Sequence, residues 1–183
     1  MTATLLAIFP HPDDETFSAG GLMAAAREMG NRVVLICATR GEAGESADPS
    51  HTSPELLGQA REDELRAAMT HLGVHDVRFL GYRDSGMEGS AEAQNPMAFV
   101  QAPVAVAAAR LAPLIREIRP DTIVTFGPDG VYGHPDHLHL HRVVVQAVRA
   151  AASPERGDTS SGDPWQTPYL YFATAPREDL EEL

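Results

Sequence analysis

Two phrases in this chain hold histidine, proline and aspartate in the same order. The first is His11-Pro12-Asp13-Asp14-Glu15. The second lies within Gly127–Arg142, GPDGVYGHPDHLHLHR. That stretch carries His134, Asp136, His137, His139 and His141, so four of the chain's eight histidines fall in it. Imidazoles and carboxylates at such spacing are the donor set of metal sites and of general acid–base chemistry. Proline after histidine suits the first residue of a helix, where no N–H is needed. If each phrase opens a helical turn, residues three apart share a face: His11 with Asp14, and His134 with His137. Asp13 is then turned off the His11–Asp14 face. Three nitrogen or carboxylate ligands with an open fourth position make a catalytic zinc site. His11, Asp14 and one histidine of the second phrase would supply it. Asp13, beside the metal but not on it, can take a proton from water whose pKa a metal lowers from about 15.7 toward about 7. A second histidine, when protonated, can stabilise an oxyanion or protonate a leaving amine.

Both phrases follow strands. Thr4–Phe9, TLLAIF, is a continuous apolar run, as a strand buried on both faces requires. Leu22, Ala25, Ala26 and Met29 recur at helical spacing through Thr16–Gly30, and Arg32–Thr39 is a second strand. The chain therefore opens β-α-β, with a parallel pair and a right-handed crossover. A long loop, Arg40–Ser53, leads to a helix over Pro54–Leu72 and a strand over Asp76–Leu80. After the irregular Gly81–Met97 comes an alanine-rich helix, Ala102–Arg119, in which Pro113 is expected to kink or split the pattern. Asp121–Phe126 is a fourth strand feeding the second phrase, His137–Ala152 a helix, Ser153–Gln166 a loop and Tyr169–Ala173 a fifth strand. The acidic tail Arg177–Leu183 shows no clear role. Alternating strands and helices predict an α/β fold: a Rossmann-like three-layer sandwich with a mostly parallel sheet of about five or six strands. Ligands of such sheets lie beyond the carboxyl ends of the strands where strand order reverses, ordinarily between the first and fourth strands. Those two strands exit into His-Pro-Asp, so both phrases are placed at one crevice.

Composition narrows the chemistry. The 183 residues fit one domain, 1–183, with 43% hydrophobic residues and a net charge of −12. That charge argues against nucleic-acid and anionic-membrane surfaces, which want a basic patch. The chain contains no lysine, which excludes Schiff-base lysine chemistry, a lysine-anchored pyridoxal site and a P-loop. Its single cysteine, Cys37, lies mid-strand and reads as a small core residue, with no disulfide or multi-thiolate zinc site. There is no G-x-S-x-G elbow and no G-x-G-x-x-G after the first strand, so a serine nucleophile and a dinucleotide are both disfavoured. The first residues read as a strand rather than a signal peptide, and no run is long enough to span a membrane, so a cytoplasmic protein is expected. His139 is expected on a solvent-side or packing face, and His141 outside the ligand set. His51, His71 and His75 read as surface residues.

HPDDE after the first strand and GHPDH after the fourth resemble the PIG-L/LmbE family of zinc-dependent N-acetylglucosaminyl deacetylases. Thr39-Arg40-Gly41-Glu42, the helix with Arg61, Glu62 and Glu64, and Tyr82-Arg83-Asp84-Ser85-Gly86-Met87 also look like family segments. The resemblance implies a zinc ion held by His11, Asp14 and His137. It implies Asp13 as general base and His134 as the residue that stabilises or protonates the tetrahedral intermediate. Tyr132 matches a mobile tyrosine that assists the carbonyl oxygen in some members. Arg61 and Asp84 match positions that bind sugar hydroxyls, and Met87 shares that loop. Many members continue past the fifth strand with a segment that closes over the site, so this domain is expected to be short at its C-terminus. The implied activity is hydrolysis of a C–N amide bond, removing acetyl from an N-acetylglucosamine-type small-molecule substrate. Neither nucleic acid nor membrane is an expected partner; a homo-oligomer is left open. Two alternatives stand beside this: an amidase of thiol-sugar conjugates or other small amides in the same fold, and a non-catalytic α/β binding module whose His-Pro-Asp phrases are helix caps.

Overall fold

The computed structural model describes residues 2–154 and 162–174. The acidic tail Arg177–Leu183 and part of the Ser153–Gln166 loop lie outside the described residues. Five strands form one all-parallel sheet: β1 (Thr4–Phe9), β2 (Arg32–Cys37), β3 (Asp76–Phe79), β4 (Thr122–Phe126) and β5 (Tyr169–Ala173). Their order is β3-β2-β1-β4-β5, so the order reverses between β1 and β4, as the strand–helix alternation predicts. Ala7 pairs with Leu35 on one side and Val124 on the other, which brings the two exits side by side.

Side chains alternate across the sheet and build two cores. Leu6, Ile8, Val34, Ile36 and Ile123 pack against α3 (Val104–Ile118) and α5 (Pro135–Ala152). Leu5, Ala7, Phe9, Leu35, Val124 and Phe126 face α1 (Asp14–Glu28) and α2 (Pro54–His71). Cys37 is buried in this second core, as its place in the strand implies. Both faces of the central strands are covered, as apolar runs in a parallel sheet require.

Two expectations change. Pro113 does not split its helix: α3 runs unbroken from Val104 to Ile118. Burial of Leu111, Ala112 and Ile115 against the sheet outweighs the one hydrogen bond a proline removes. The second concerns the inner face of α1. The apolar residues at helical spacing do not mark that face, since Leu22 and Met29 are 48% and 78% exposed. The residues that turn inward are Asp14, Glu15, Ala19 and Met23. Spacing of four from Glu15 to Ala19 to Met23 shows the cause. Two polar residues at the helix start set its rotation, and the apolar stripe follows them.

Candidate active site

The exit of β1 is a tight turn. Thr39 fastens it by donating its N–H and hydroxyl to the Pro10 carbonyl, at 2.9 and 3.2 Å. Asp14 turns back so that Oδ2 accepts the His11 N–H at 2.9 Å and stands 3.1 Å from His11 Nδ1. The expected His11–Asp14 face is therefore present, although the phrase does not open a helix at Pro12: α1 begins at Asp14. Asp13 has φ 105°, the left-handed region where a non-glycine residue costs about 1–3 kcal/mol. Its carboxylate makes no cap to its own helix and instead receives Arg61 Nη2 at 2.9 Å. Arg61, reaching from α2, also donates to Pro12 O at 2.6 Å and Gly41 O at 2.8 Å. Gly41 is required there: its φ is +70°, and a Cβ would lie 2.0 Å from Arg61 Nη1.

The exit of β4 is built differently. Val131 takes a strained γ-turn geometry, φ 66° and ψ −68°, inside the short helix α4 (Gly130–Gly133). His134 is then the N-cap of α5, with Pro135 as its first residue, as expected for this phrase. The His134 ring does the work of a capping side chain: Nδ1 accepts the Asp136 N–H at 3.1 Å. One turn on, the ring of His137 stacks on Phe126, centroids 4.4 Å apart, and its Nδ1 lies 3.1 Å from Gly130 O. Phe126 in turn meets Phe9 edge-on at 5.0 Å, so the two strand exits share an aromatic floor.

The two halves meet. His11 lies 4.7 Å from His134 and 5.5 Å from His137, centroid to centroid. Hydrogen-bond partners decide which nitrogens can bind a metal. A carbonyl oxygen only accepts, so His137 carries its proton on Nδ1 toward Gly130, leaving a lone pair on Nε2. That Nε2 is fully buried, has no hydrogen-bond partner, and lies 3.3 Å from Asp14 Oδ1. Burial pushes the His137 pKa down to about 4, so no proton on Nε2 relieves the contact at neutral pH. Two electron-rich atoms at that distance call for a cation between them. The separation also matches ligands bound tetrahedrally at 2.0–2.1 Å, which stand about 3.3–3.4 Å apart. His134 is the reverse case. Its Nδ1 is spent as an acceptor, so in the neutral ring Nε2 carries the proton and donates. Ring nitrogens of His11, His134 and His137 all lie within 4.8 Å of one another, but His137 Nε2 is unpartnered and His11 Nδ1 faces the Asp14 carboxylate, whereas His134 Nδ1 is taken by the Asp136 N–H. We therefore group His11 and His137 with Asp14, not with His134.

A second cluster, His11, Asp84 and Asp136, stands behind the first. His11 Nε2 lies 3.1 Å from Asp136 Oδ2 and 3.4 Å from Asp84 Oδ1. Asp136 is wholly buried and also accepts the Ser85 N–H and hydroxyl. With its oxygens so engaged it orients His11, the arrangement by which outer carboxylates fix metal-binding imidazoles. Burial lowers the affinity of His11 for a proton, yet the hydrogen bonds it donates to Asp136, Asp14 and Asp84 outweigh it and hold the pKa well above the usual value. Burial would raise Asp84, but His11 keeps it well below the usual carboxylate range. Burial raises Asp13, opposed by Arg61, and so strengthens it as a base. Burial, then the charge of His11, lowers His134.

A cavity of about 510 Å³ opens onto this cluster, lined by His11, Asp13, Asp14, Arg61, Asp84, Met87, Tyr132 and His134. Every site residue expected from sequence lines it except His137, which is sealed beneath. Met87 and Tyr132 form its exposed rim. Asp84 is turned inward, its oxygens taken by the N–H groups of Ala43 and Gly86. Sequence reasoning missed Asp136, Ser85 and Glu15. Asp136 had a signal, as the residue matching Asp13 in the second phrase; Ser85 had none. His51, read as a surface residue, also lines the cavity. His139 packs edge-on against Phe99 at 4.7 Å, the second of the two faces expected for it, solvent-side or packing. His141 holds Phe126 O through Nδ1 at 3.0 Å, outside the ligand group.

The family model described as PIG-L, GlcNAc-PI de-N-acetylase, matches residues 6–148. This chain belongs to the PIG-L family. Curated relatives include deacetylases of 1D-myo-inositol 2-acetamido-2-deoxy-alpha-D-glucopyranoside. The one from Streptomyces scabiei is 46% identical, over 94% of this chain and 56% of the relative. The one from Thermobifida fusca is 45% identical, over 97% and 64%. This chain thus spans a little over half to just under two-thirds of the length of these PIG-L relatives. Among solved structures, the N,N'-diacetylchitobiose deacetylase from Pyrococcus horikoshii shares the fold, with a TM-score of 0.76 over 98% of this chain and 66% of that one, at 24% identity. Among the described residues no helix is long and apolar enough to cross a membrane.

Proposed function

We propose that this PIG-L protein is a metal-dependent hydrolase of a C–N amide bond that removes acetyl from an N-acetylglucosamine-type sugar or glycoconjugate. The observation that carries it is the unshared lone pair of His137 facing the Asp14 carboxylate, with the Asp13 carboxylate lining the same cavity, held by Arg61. The names of its relatives, deacetylases of 2-acetamido sugars, support the substrate class. His11 Nδ1, an Asp14 oxygen and His137 Nε2 would hold the ion, which we take to be zinc. Bound there, it supplies Lewis acidity, lowering the pKa of water toward about 7 and polarising the acetyl carbonyl.

The remaining work falls to side chains of this chain. Asp13, its basicity raised by burial, takes a proton from the attacking water. His134 donates a hydrogen bond from its Nε2–H to the carbonyl oxygen as negative charge develops there, keeping its proton. Tyr132, at the cavity rim, would add a second donor. A proton returned to the nitrogen lets the amine leave, with acetate as the other product. Arg61, Asp84 and Met87 line the space for the sugar. The test is metal analysis of protein purified without chelator, with a panel of N-acetyl sugars and thiol-sugar conjugates scored for free amine. We expect one divalent ion per chain and turnover of an N-acetylglucosaminide. Asp13→Asn should keep the ion and lose about 10²–10⁴-fold in kcat. Protein that binds no metal and is not rescued by zinc would overturn the reading.

A further inference from the structure

The proposed chemistry gives no task to Glu15, although it is more enclosed than His11 or Asp14, at 1% exposed. Its partners are local. Oε2 accepts the Asp13 N–H at 3.0 Å, and Oε1 accepts the Thr16 hydroxyl at 2.6 Å. An aspartate at an N-cap ordinarily takes an extended conformation and turns its carboxylate onto an N–H of the second or third helical residue. Asp13 does neither. Its φ is 105° and ψ −37°, and its side chain makes no cap hydrogen bond. The Asp13 N–H, turned inward by that conformation, is met by Glu15. The carboxylate, turned outward, lines the cavity and receives Arg61. Arg61 holds the preceding carbonyl, Pro12 O, at 2.6 Å, so the peptide linking Pro12 to Asp13 is gripped at both its oxygen and its nitrogen.

We propose that Glu15 is a positioning residue for Asp13: by holding the Asp13 N–H it keeps this residue left-handed, so that its carboxylate faces the cavity instead of capping α1. This rests on the reading of Asp13 as general base. Without the Glu15 oxygen, Asp13 relaxes to ordinary N-cap geometry and its carboxylate turns onto its own helix. A displacement of about 1 Å in a reacting group is enough to cost roughly 10²-fold in rate.

The experiment compares Glu15→Met, which keeps the volume and removes both acceptors, with Glu15→Gln, which keeps one. Each is made in the full chain and again with Asp13→Asn. Asp13 amide exchange is followed by NMR, bound zinc by metal analysis, and kcat and KM with an N-acetylglucosaminide. Glu15→Met should speed Asp13 amide exchange at least about tenfold and lower kcat about 10–100-fold, with KM and zinc content unchanged. Glu15→Gln should stay within about threefold of the wild type in both. With Asp13→Asn already present, adding Glu15→Met should cost nothing more in kcat, because Glu15 acts through that side chain. Unchanged exchange, or an equal loss of kcat in both backgrounds, would overturn the inference. If Glu15→Met does not fold, Thr16→Val removes the hydroxyl that orients Glu15 and should give a smaller loss of the same pattern; no change there is equally fatal. A fully active Asp13→Asn would sink the base assignment itself. An inactive Asp13→Asn beside a fully active Glu15→Met would sink the positioning role alone.

Discussion

The two His-Pro-Asp phrases share three letters and divide the work in opposite ways. In the first, the histidine is a metal-ligand candidate and the aspartate lines the cavity, held by Arg61. In the second, the histidine caps a helix and keeps a donor, while the aspartate is wholly buried behind His11. The difference lies in where the helix starts. α5 begins at the proline of its phrase, whereas α1 begins two residues later, after a left-handed residue. That offset puts Asp14, the fourth letter of the first phrase, opposite His137, the fourth letter of the second. The role of a residue in such a phrase follows from its position relative to the helix start, not from its place in the motif.

The comparison can be broken most sharply at the second phrase. His137→Ala should lose the bound ion and all turnover, whereas His134→Ala should keep the ion and lose about 10²–10⁴-fold in kcat. Metal analysis of both variants decides it, since loss of metal from both would refute the assignment of tautomers. The two aspartates come next. Asp136→Asn should weaken metal affinity about 10–100-fold, as outer partners of ligating histidines do, whereas Asp13→Asn should leave affinity intact. Competition with a chelator measures the contrast. Gly41→Ala, which drives a Cβ into Arg61, should lower kcat about tenfold with the ion retained. Wild-type kcat in that variant would show that Arg61 has no bearing on Asp13.

The smallest effect serves as a control outside both phrases. The Asp76 carboxylate is held below its usual pKa, chiefly by hydrogen bonds from Arg78 and, against some burial, from Arg32. Its folded pKa is depressed, so the stabilisation is present above the unfolded value and is lost as pH falls through the folded one. Asp76→Asn should therefore leave a flatter acid limb of stability as pH falls below the ordinary carboxylate range, with kcat unchanged. Acid titration of unfolding checks it; a changed kcat would show that the site is sensitive to remote charge.

Much of this was legible in the residues themselves. Continuous apolar runs marked β1, β2 and β4 because a parallel sheet buries both faces, and strand order then brought the two phrases together. His11 and Asp14 were readable as a pair because they are close in sequence. Ser85 was not, since only the folded chain carries it to Asp136. Nor was the inner face of α1: apolar spacing pointed to Leu22 and Met29, but the polar pair at its start turned them outward. Pro113 misled for the same reason, because a local rule was overridden by packing that the sequence does not display.

The rotation of α1 carries a trade between durability and chemistry. Phe17, at 89% exposed, stands on the surface with Leu22 and Met29 while two carboxylates occupy the inner start of the same helix. The first turn of α1 is thus committed to the site: an apolar residue at Glu15 would take the acceptor from the Asp13 N–H and the Thr16 hydroxyl, so packing gained there is offset by donors left unpaired. Polar replacements at Leu22 and Met29, further along the same helix, should improve solubility with the site untouched.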